Sequence, residues 1–269
     1  MTKEAESRRP TLDDIVAVTR RRIAALEENA AILERRLEDA PAARPFPGPL
    51  GDTVGLIAEV KRRSPSQGAI RPGLDPVAHA RAYVNGGAVA VSVLTDEPHF
   101  GGSLEDLKQV AATVPVPVLR KDFILDGLQL LEARAAAASA VLLIVRLLSR
   151  VQLASLAAQA HSLGMATLIE VHAPEELDAA LGAEPDAVGV NARDLDTFAV
   201  DLRAAETVIG LVPATIPVVA ESGIEARRDV ERLAARGADL VLVGTSLARQ
   251  ANPEAAARAL TGVARLGRD

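Results

Sequence analysis

Charged side chains lie within or directly after several apolar runs of this sequence. The run "GLIAEVK", residues 55–61, contains Glu59 and Lys61, whose side chains would share one face of a β-strand. A solvated edge strand would explain one such pair. Lys121 follows "VPVLR", and Glu170 lies within "ATLIEVH", so other runs repeat the pattern. Carboxylates and amines that meet in one place can exchange protons with a substrate. Their recurrence therefore indicates a shared pocket.

Polar and small residues also end the last three apolar runs. They are Asn191, Arg193, Glu221, Ser222, Gly223, Gly244 and Thr245. In α/β barrels the loops after strands seven and eight often bind phosphate through backbone N–H groups of glycine-containing turns. The last two runs therefore predict a phosphate site, although turns of glycine and hydroxyl residues are frequent in ordinary loops as well.

The elements that must position these residues follow a regular alternation. Eight short apolar runs begin at residues 55, 88, 116, 140, 166, 187, 216 and 240. Each interval leaves room for one helix, and runs rich in Val, Ile, Leu and Ala are typical of parallel strands buried on both faces. The alternation predicts an α/β fold, a closed (β/α)8 TIM barrel, with catalytic groups at the carboxyl ends of its strands. An open doubly wound sheet is the alternative, but "RRSPSQG" after the first run is not a Gly-rich dinucleotide turn.

The segment before the barrel has the periodicity of a helix. Apolar residues from Leu12 to Leu37 recur at three- and four-residue spacing, which predicts one long additional helix over residues 11–40. A coiled-coil arm is the alternative, but the pattern is short for one. "PAARPFPGPLGD", residues 41–52, is a Pro- and Gly-rich connector. We expect an N-terminal helical extension and linker over residues 1–48 and the catalytic barrel over residues 49–269.

Composition narrows the class of protein. The chain has 269 residues, a net charge of −6, no Trp and one Tyr, which argues against a nucleic-acid surface. The absence of cysteine excludes disulfides and thiolate metal sites, and the scattered histidines offer no metal site. No run reaches the roughly 18 apolar residues of a membrane span, and the polar opening has no signal-peptide core. We therefore expect a cytoplasmic protein that binds neither nucleic acid nor membrane.

Six phrases of the sequence occur in the same order in one enzyme family. They are "IAEVKRRSPSQG", "SVLTDEPHFGGSLEDL", "VLRKDFILD", "VNARDLDTFAVD", "VAESGI" and "VGTSL". They run from the first apolar run to the last, and the phrase E-x-K-x-x-S-P-S is highly specific. The chain therefore resembles indole-3-glycerol phosphate synthase, a barrel enzyme of tryptophan biosynthesis whose extra helix crosses the barrel mouth.

The resemblance implies a reaction on a phosphorylated small molecule. The substrate would be 1-(o-carboxyphenylamino)-1-deoxyribulose 5-phosphate, which a carbon–carbon lyase closes to indole-3-glycerol phosphate with loss of carbon dioxide and water. No hydride, radical or metal step is involved, so no cofactor is expected. Attack on a carbonyl needs a proton donor at the developing alkoxide, and a lysine serves if burial lowers its pKa toward neutrality. The two anionic ends of the substrate need fixed cations.

The matching motifs imply a role for each candidate residue. Lys121 would be the general acid of ring closure, Glu170 would be the acid or base of the dehydration, and Lys61 would lie near the anthranilate carboxylate. How the acid and base steps divide among these three residues stays open. The other catalytic residues implied are Glu59, Asn191, Glu221 and Ser222. The implied substrate and phosphate contacts are Arg63, Ser64, Phe123, Arg193, Ser222, Gly223, Gly244 and Thr245.

Two stretches depart from the family's pattern. Gly127 and Leu128 stand before Gln129 where the family commonly has Pro-Tyr-Gln, and "AAAASAVLL", from residue 135, replaces an Ala-Gly-Ala-Asp run. We place both stretches in the helix after the third strand and expect its cap and packing to depart from the family's pattern.

Two rival functions share the barrel. Phosphoribosylanthranilate isomerase would share the phosphate loops but not the E-x-K-x-x-S-P-S phrase. A non-catalytic phosphosugar-binding barrel would be free to lose Lys121 or Glu170, and both are present. The sequence leaves open whether the protein serves the primary pathway or a specialised one. It is compatible with a monomer but does not determine the oligomeric state.

Overall fold

Eight parallel strands close into a barrel in the computed structural model of the chain, which describes residues 11–268. The strands are β1 (Gly55–Val60), β2 (Ala90–Leu94), β3 (Val118–Lys121), β4 (Ala140–Ile144), β5 (Ala166–Val171), β6 (Ala187–Asn191), β7 (Val218–Glu221) and β8 (Leu240–Val243). Consecutive strands are neighbours, and β8 pairs in parallel with β1. The prediction of a (β/α)8 barrel is confirmed, and the open sheet is excluded.

Helices precede, connect and follow the strands. They are α1 (Leu12–Glu27), α2 (Ala30–Glu38), α3 (Pro76–Asn85), α4 (Glu97–Phe100), α5 (Leu104–Thr113), α6 (Gly127–Ala135), α7 (Arg150–Ser162), α8 (Leu177–Leu181), α9 (Leu202–Ile209), α10 (Arg227–Ala234), α11 (Thr245–Ala248) and α12 (Pro253–Leu260). Two 3-10 turns, Val145–Leu147 and Pro174–Glu176, and a hairpin of Arg63–Ser64 with Gly68–Ala69 complete the structure. Within residues 11–268 no helix is long and apolar enough to cross a membrane.

The strands bury both faces, which gives the molecule two apolar clusters. Residues such as Leu56 and Val91 point outward and pack against the helices, whereas Ile57, Leu119 and Leu168 fill the barrel interior. Because neighbouring residues of a strand alternate between the two faces, both sets have to be apolar along most of each strand. Charged residues on the inward face are therefore confined to the end of the barrel where space remains.

The N-terminal segment forms two helices, so the prediction of one helix over residues 11–40 is wrong. The interruption lies at Asn29, whose Nδ2 donates a hydrogen bond to the carbonyl of Ala25 at 3.2 Å. Such side-chain bonds to the backbone compete with helix propagation. α1 places Ile15 in the cluster inside the barrel, and α2 packs on α6. The domain boundary between residues 48 and 49 stays a prediction.

The first departure from the family's pattern leaves α6 well capped. The helix begins behind Asp126, whose Oδ1 accepts a hydrogen bond from the N–H of Leu128 at 2.8 Å. Gln129 is buried, and its side chain accepts from the N–H of Leu125 at 2.8 Å and donates to the carbonyl of Phe123 at 2.9 Å. These bonds fix the segment that leads from β3 to α6.

The second departure lies mostly outside α6, so its placement in that helix is wrong. α6 ends at Ala135, and the rest of "AAAASAVLL" forms a turn and the first part of β4. Ala137 has a φ of 63° in this turn, a left-handed conformation in which a β-carbon is crowded. A glycine would adopt this conformation without that strain.

Candidate active site

Four strands bring charged side chains together at the carboxyl end of the barrel. Nζ of Lys121, from β3, lies 3.5 Å from Oε2 of Glu170 on β5 and 3.4 Å from Oε2 of Glu221 on β7. At the carboxyl end of β1, Nζ of Lys61 lies 3.2 Å from Oε1 of Glu59. The side chains of Glu170 and Glu221 are only 1% and 2% exposed, so water screens these pairs little. The residues that the sequence indicated as a shared pocket are adjacent in space.

Lys121 is a charged ammonium in this arrangement. Burial alone would lower its pKa, but the carboxylates of Glu221, Glu170 and Glu59 raise it above the ordinary lysine value. The expectation that burial brings this pKa toward neutrality is therefore wrong here, because nearby opposite charges outweigh desolvation. Lys121 offers a proton and a positive charge to a developing alkoxide.

The two carboxylates beside Lys121 differ in their affinity for a proton. Burial would raise the pKa of Glu170, but the charges of Lys121 and His172 lower it. For Glu221, burial and the neighbouring carboxylates outweigh Lys121 and raise the pKa to about 8. Environments that separate the pKa values of two carboxyl groups are typical of acid–base pairs. Glu170 is thus the carboxylate suited to accept a proton, and Glu221 holds one near neutral pH.

Two glycines make room for the carboxylates. A β-carbon at Gly189 would collide with Oε1 of Glu221, and one at Gly244 would collide with Oε1 of Glu59. A glycine inside or at the end of a strand often marks such a close approach. Gly189 therefore leaves space for the carboxylate of Glu221, a role that the sequence alone did not assign. The signal in the sequence was a glycine inside a predicted strand.

Apolar side chains form the wall and roof of the cavity that holds the charged cluster. The ring centroids of Phe100 and Phe123 are 6.2 Å apart, and Nζ of Lys61 lies 5.5 Å from the centroid of Phe100. Leu12 and Ile15 of α1 line the same cavity from above. The first helix therefore lies across the barrel mouth.

A second cavity adjoins the first at the ends of β7 and β8. Its lining includes the predicted phosphate contacts Ser222, Gly223, Gly244 and Thr245, together with Arg193. Ser222 and Gly223 have φ values of 67° and 75°, so the backbone turns sharply directly after β7. The structure thus brings these five residues into one space, and Ser64 and Asn191 line the first cavity.

Arg63 is the candidate that lies apart from both cavities. Its side chain is exposed and packs near Gly101, and its contact with phosphate stays a prediction.

Two residues that the sequence did not single out, Gln67 and Arg249, line the second cavity, where Nη2 of Arg249 donates to Oε1 of Gln67 at 2.8 Å. Each lies several residues beyond the end of a predicted strand, so only the folded structure shows that they are close together.

A buried network beside Lys121 was also missed. Asp122 accepts hydrogen bonds from Oγ1 of Thr95 at 2.6 Å, Nη2 of Arg120 at 3.0 Å and Nη2 of Arg22 at 3.1 Å. Arg120 is fully buried. Because Arg22 belongs to α1, the network joins the roof of the cavity to the strand that carries Lys121. The only signal in the sequence was the adjacent Arg-Lys-Asp at the end of β3.

A family model for indole-3-glycerol phosphate synthase matches residues 12–260. The chain belongs to this family. A relative from Rhodopirellula baltica named indole-3-glycerol phosphate synthase is 48% identical over 253 residues, which cover 93% of this chain and 98% of the relative. A second relative of the same name, from Kineococcus radiotolerans, is 46% identical over 253 residues and covers 91% and 92% of the two chains.

Solved structures outside the family share the barrel. A 3-hexulose-6-phosphate synthase from Salmonella typhimurium has a TM-score of 0.60 at 16% identity, covering 77% of this chain and 96% of that one. A thiamine phosphate pyrophosphorylase from Pyrococcus furiosus has a TM-score of 0.59 at 18% identity, covering 77% of this chain and 93% of that one. At these identities the likeness concerns the fold alone.

Proposed function

We propose that the chain closes 1-(o-carboxyphenylamino)-1-deoxyribulose 5-phosphate to indole-3-glycerol phosphate, with loss of carbon dioxide and water, in tryptophan biosynthesis. The observation that supports this best is the partly buried Lys121 ammonium held between Glu170 and Glu221, in a chain of the indole-3-glycerol phosphate synthase family. The reaction needs an acid and a base at one carbon centre, and this cluster supplies both.

The two cavities suit the two ends of the substrate. The turns at Ser222–Gly223 and Gly244–Thr245 would take the phosphate, with Arg193 at the same mouth. Lys61 would take the carboxylate of the aromatic ring, which the face of Phe100 and the nearby Phe123 would help to hold. Anchoring both ends places the reacting carbons above the charged cluster, which lowers the entropic cost of ring closure.

Lys121 acts first in this proposal. The ring carbon that bears the carboxylate attacks the ketone carbon, and the carbonyl oxygen becomes an alkoxide that takes a proton from Lys121. Loss of carbon dioxide then restores the aromatic ring. General acid catalysis of this kind contributes about 10² to 10⁴ in rate.

Dehydration needs a second proton transfer. The new hydroxyl leaves as water after it is protonated, while a base removes a proton from the neighbouring ring carbon and the indole double bond forms. Glu170 is the base in this proposal because the charges of Lys121 and His172 lower its pKa and keep it ionised. Lys61 supplies the proton to the hydroxyl, or Lys121 does so after solvent has returned the proton that it gave during ring closure. Glu59, Asn191, Glu221 and Ser222 orient these groups.

The proposal includes a cytoplasmic location, since a substrate that carries both a carboxylate and a phosphate does not cross membranes unaided. All the groups named above come from one chain, so the chemistry requires no partner subunit.

An assay of the purified chain with the carboxyphenylamino substrate tests the function. The chain has no Trp, so indole fluorescence from the product will rise over a low background, together with release of carbon dioxide. A folded chain, checked by circular dichroism, that releases no carbon dioxide contradicts the proposal. An isomerisation without that release would favour a sibling sugar-phosphate activity.

A further inference from the structure

The two oxygens of Glu170 have different surroundings. Oε2 faces Nζ of Lys121 at 3.5 Å, whereas Oε1 is buried and accepts no hydrogen bond from any residue in the described range 11–268. His172 lies beside Oε1, with its Nε2 3.4 Å away. The imidazole is only 8% exposed. The side chain of Asn191 also interacts with this carboxylate, and a further contact at Oε1 would limit its rotation.

Glu176 lies on the other side of His172. Its backbone N–H donates to Oε2 of Glu176 at 2.6 Å, and its Nδ1 lies 3.7 Å from the same oxygen. Glu176 is paired with Arg146 at 4.0 Å, and Arg146 also pairs with Asp194 at 3.3 Å and Asp196 at 2.6 Å. A continuous series of charged contacts therefore joins the loops after β4, β5 and β6 and ends at Glu170.

We propose that His172 is a positioning residue that holds Oε1 of Glu170 and keeps this carboxylate oriented for the dehydration step. The inference rests on the proposed function, because it needs Glu170 to act as acid or base. The 3.4 Å separation is longer than an ordinary hydrogen bond, and such contacts often tighten in the substrate complex.

The charge of His172 adds to its geometric role. In its protonated form it lowers the pKa of Glu170, as Lys121 does. Removal of the imidazole therefore raises this pKa, so that Glu170 takes up its proton at a higher pH. The other charged and polar groups that face this pair are Lys121, Glu221, Glu59, Asn191, Glu176 and Arg146.

His172→Leu, His172→Gln and a control variant test the role by steady-state kinetics. His172→Leu removes both contact and charge, and we expect kcat to fall about 10-fold or more with KM changed less than about threefold. His172→Gln can still donate to Oε1, so it should recover part of kcat. The control is His161→Leu, which removes a half-exposed histidine paired with Asp186 at 2.9 Å, and it should leave kcat unchanged.

The pH profile separates this role from a merely structural one. In both His172 variants the acidic limb of kcat should move up by about one pH unit, because a nearby positive charge no longer favours ionised Glu170. An active wild type with an unchanged kcat and acidic limb in His172→Leu overturns the role of His172 alone. So does a kcat loss with no shift of that limb in the folded His172→Gln variant. A wild-type chain without activity overturns the proposed function itself.

Discussion

Lys121 and its two carboxylate partners hold their protons as a coupled set. The charges of Glu221 and Glu170 raise the pKa of Lys121, while Lys121 keeps the pKa of Glu170 low. Burial and the neighbouring carboxylates raise the pKa of Glu221 to about 8, so this residue keeps its proton up to about that pH. A change at one of the three residues should therefore alter the titration of the others, and two predictions follow at this scale.

Glu221→Gln should make the stability of the protein less dependent on pH. Between the ordinary value of 4.5 and about 8, the folded protein holds a proton on Glu221 that the unfolded chain has lost. Because the folded state binds more protons, the free energy of unfolding falls as pH rises through this window. The glutamine variant removes this loss, so its stability relative to the wild type should be greater at pH 8.5 than at pH 6.

Urea unfolding at the two pH values measures this difference. Glu254→Gln, at a partly exposed position of α12 where Glu254 pairs with Arg258, serves as the control and should show no such trend. A stability difference for Glu221→Gln that is equal at both pH values would show that Glu221 does not hold the extra proton.

Glu170→Gln should lower turnover far more than binding. The amide keeps the size of the side chain but cannot accept the proton of the dehydration step, and loss of a general base typically costs about 10² to 10⁴ in kcat. Calorimetric titration with the product measures affinity alongside kcat. A loss of product affinity as large as the loss of kcat would mean that Glu170 anchors the substrate instead.

The sequence predicted which residues meet but not their protonation. Glu59, Lys121 and Glu170 were recognisable because each interrupts or ends an apolar run at a strand position. The raised pKa of Lys121 depends on distances to carboxylates that come from other strands, and these distances exist only in the closed barrel. The role of Gly189 depends on the same cross-strand proximity.

At the scale of elements, the turn from α6 to β4 contains a strained alanine. Ala137 has a φ of 63°, which costs an alanine about 1–2 kcal/mol and a glycine almost nothing. Since glycine also increases the entropy of the unfolded chain, Ala137→Gly should stabilise the protein by a net amount of about 0.5–1 kcal/mol.

Ala136→Gly is the matched control for this turn. Ala136 has a φ of −88°, a conformation that alanine adopts without strain, so its replacement should destabilise the protein. Urea unfolding of both variants measures the contrast. If Ala137→Gly destabilises as much as Ala136→Gly does, the left-handed turn is not a source of strain.

Two ion pairs of Arg22 join the first helix to the segments that follow β2 and β3. Arg22→Met keeps the apolar stem but removes the contacts to Asp122 at 3.1 Å and Asp96 at 3.6 Å. Asp122 keeps its bond to Arg120, so the cost should be modest, about 1 kcal/mol in unfolding free energy. The roof should also loosen, and KM should rise. Urea unfolding and substrate titration check both effects, and an unchanged KM would show that α1 does not help to close the cavity.

The helical periodicity of this N-terminal segment was visible in the sequence, but its interruption was not. Asn29 does not disturb the helical spacing of apolar residues, and the break between α1 and α2 is visible only in the structure, where its side chain bonds to the carbonyl of Ala25. The bond between Arg22 and Asp122 joins residues that lie far apart in the chain, so no local pattern predicts it. The eight strands were predictable because each one is an apolar run of its own.

At the scale of the whole molecule, the barrel collects the candidate site from strands spread along the chain. β1, β3, β5 and β7 supply the charged cluster, β7 and β8 supply the second cavity, and α1 covers the mouth. Alternation of side chains along each strand leaves the inward face apolar except at this one end. The account as a whole depends on Lys121 at the centre of that end acting as the proton donor.

The most direct test is kcat and product Kd for the wild type, Lys121→Met and Lys121→Arg at neutral pH. Methionine keeps the apolar stem without the donor, so kcat should fall by at least about 10²-fold while product Kd changes little and circular dichroism confirms the fold. Arginine should rescue poorly, because a guanidinium hardly releases a proton and needs more room. If Lys121→Met keeps more than about a tenth of the wild-type kcat, Lys121 is not the acid, and Lys61 becomes the candidate.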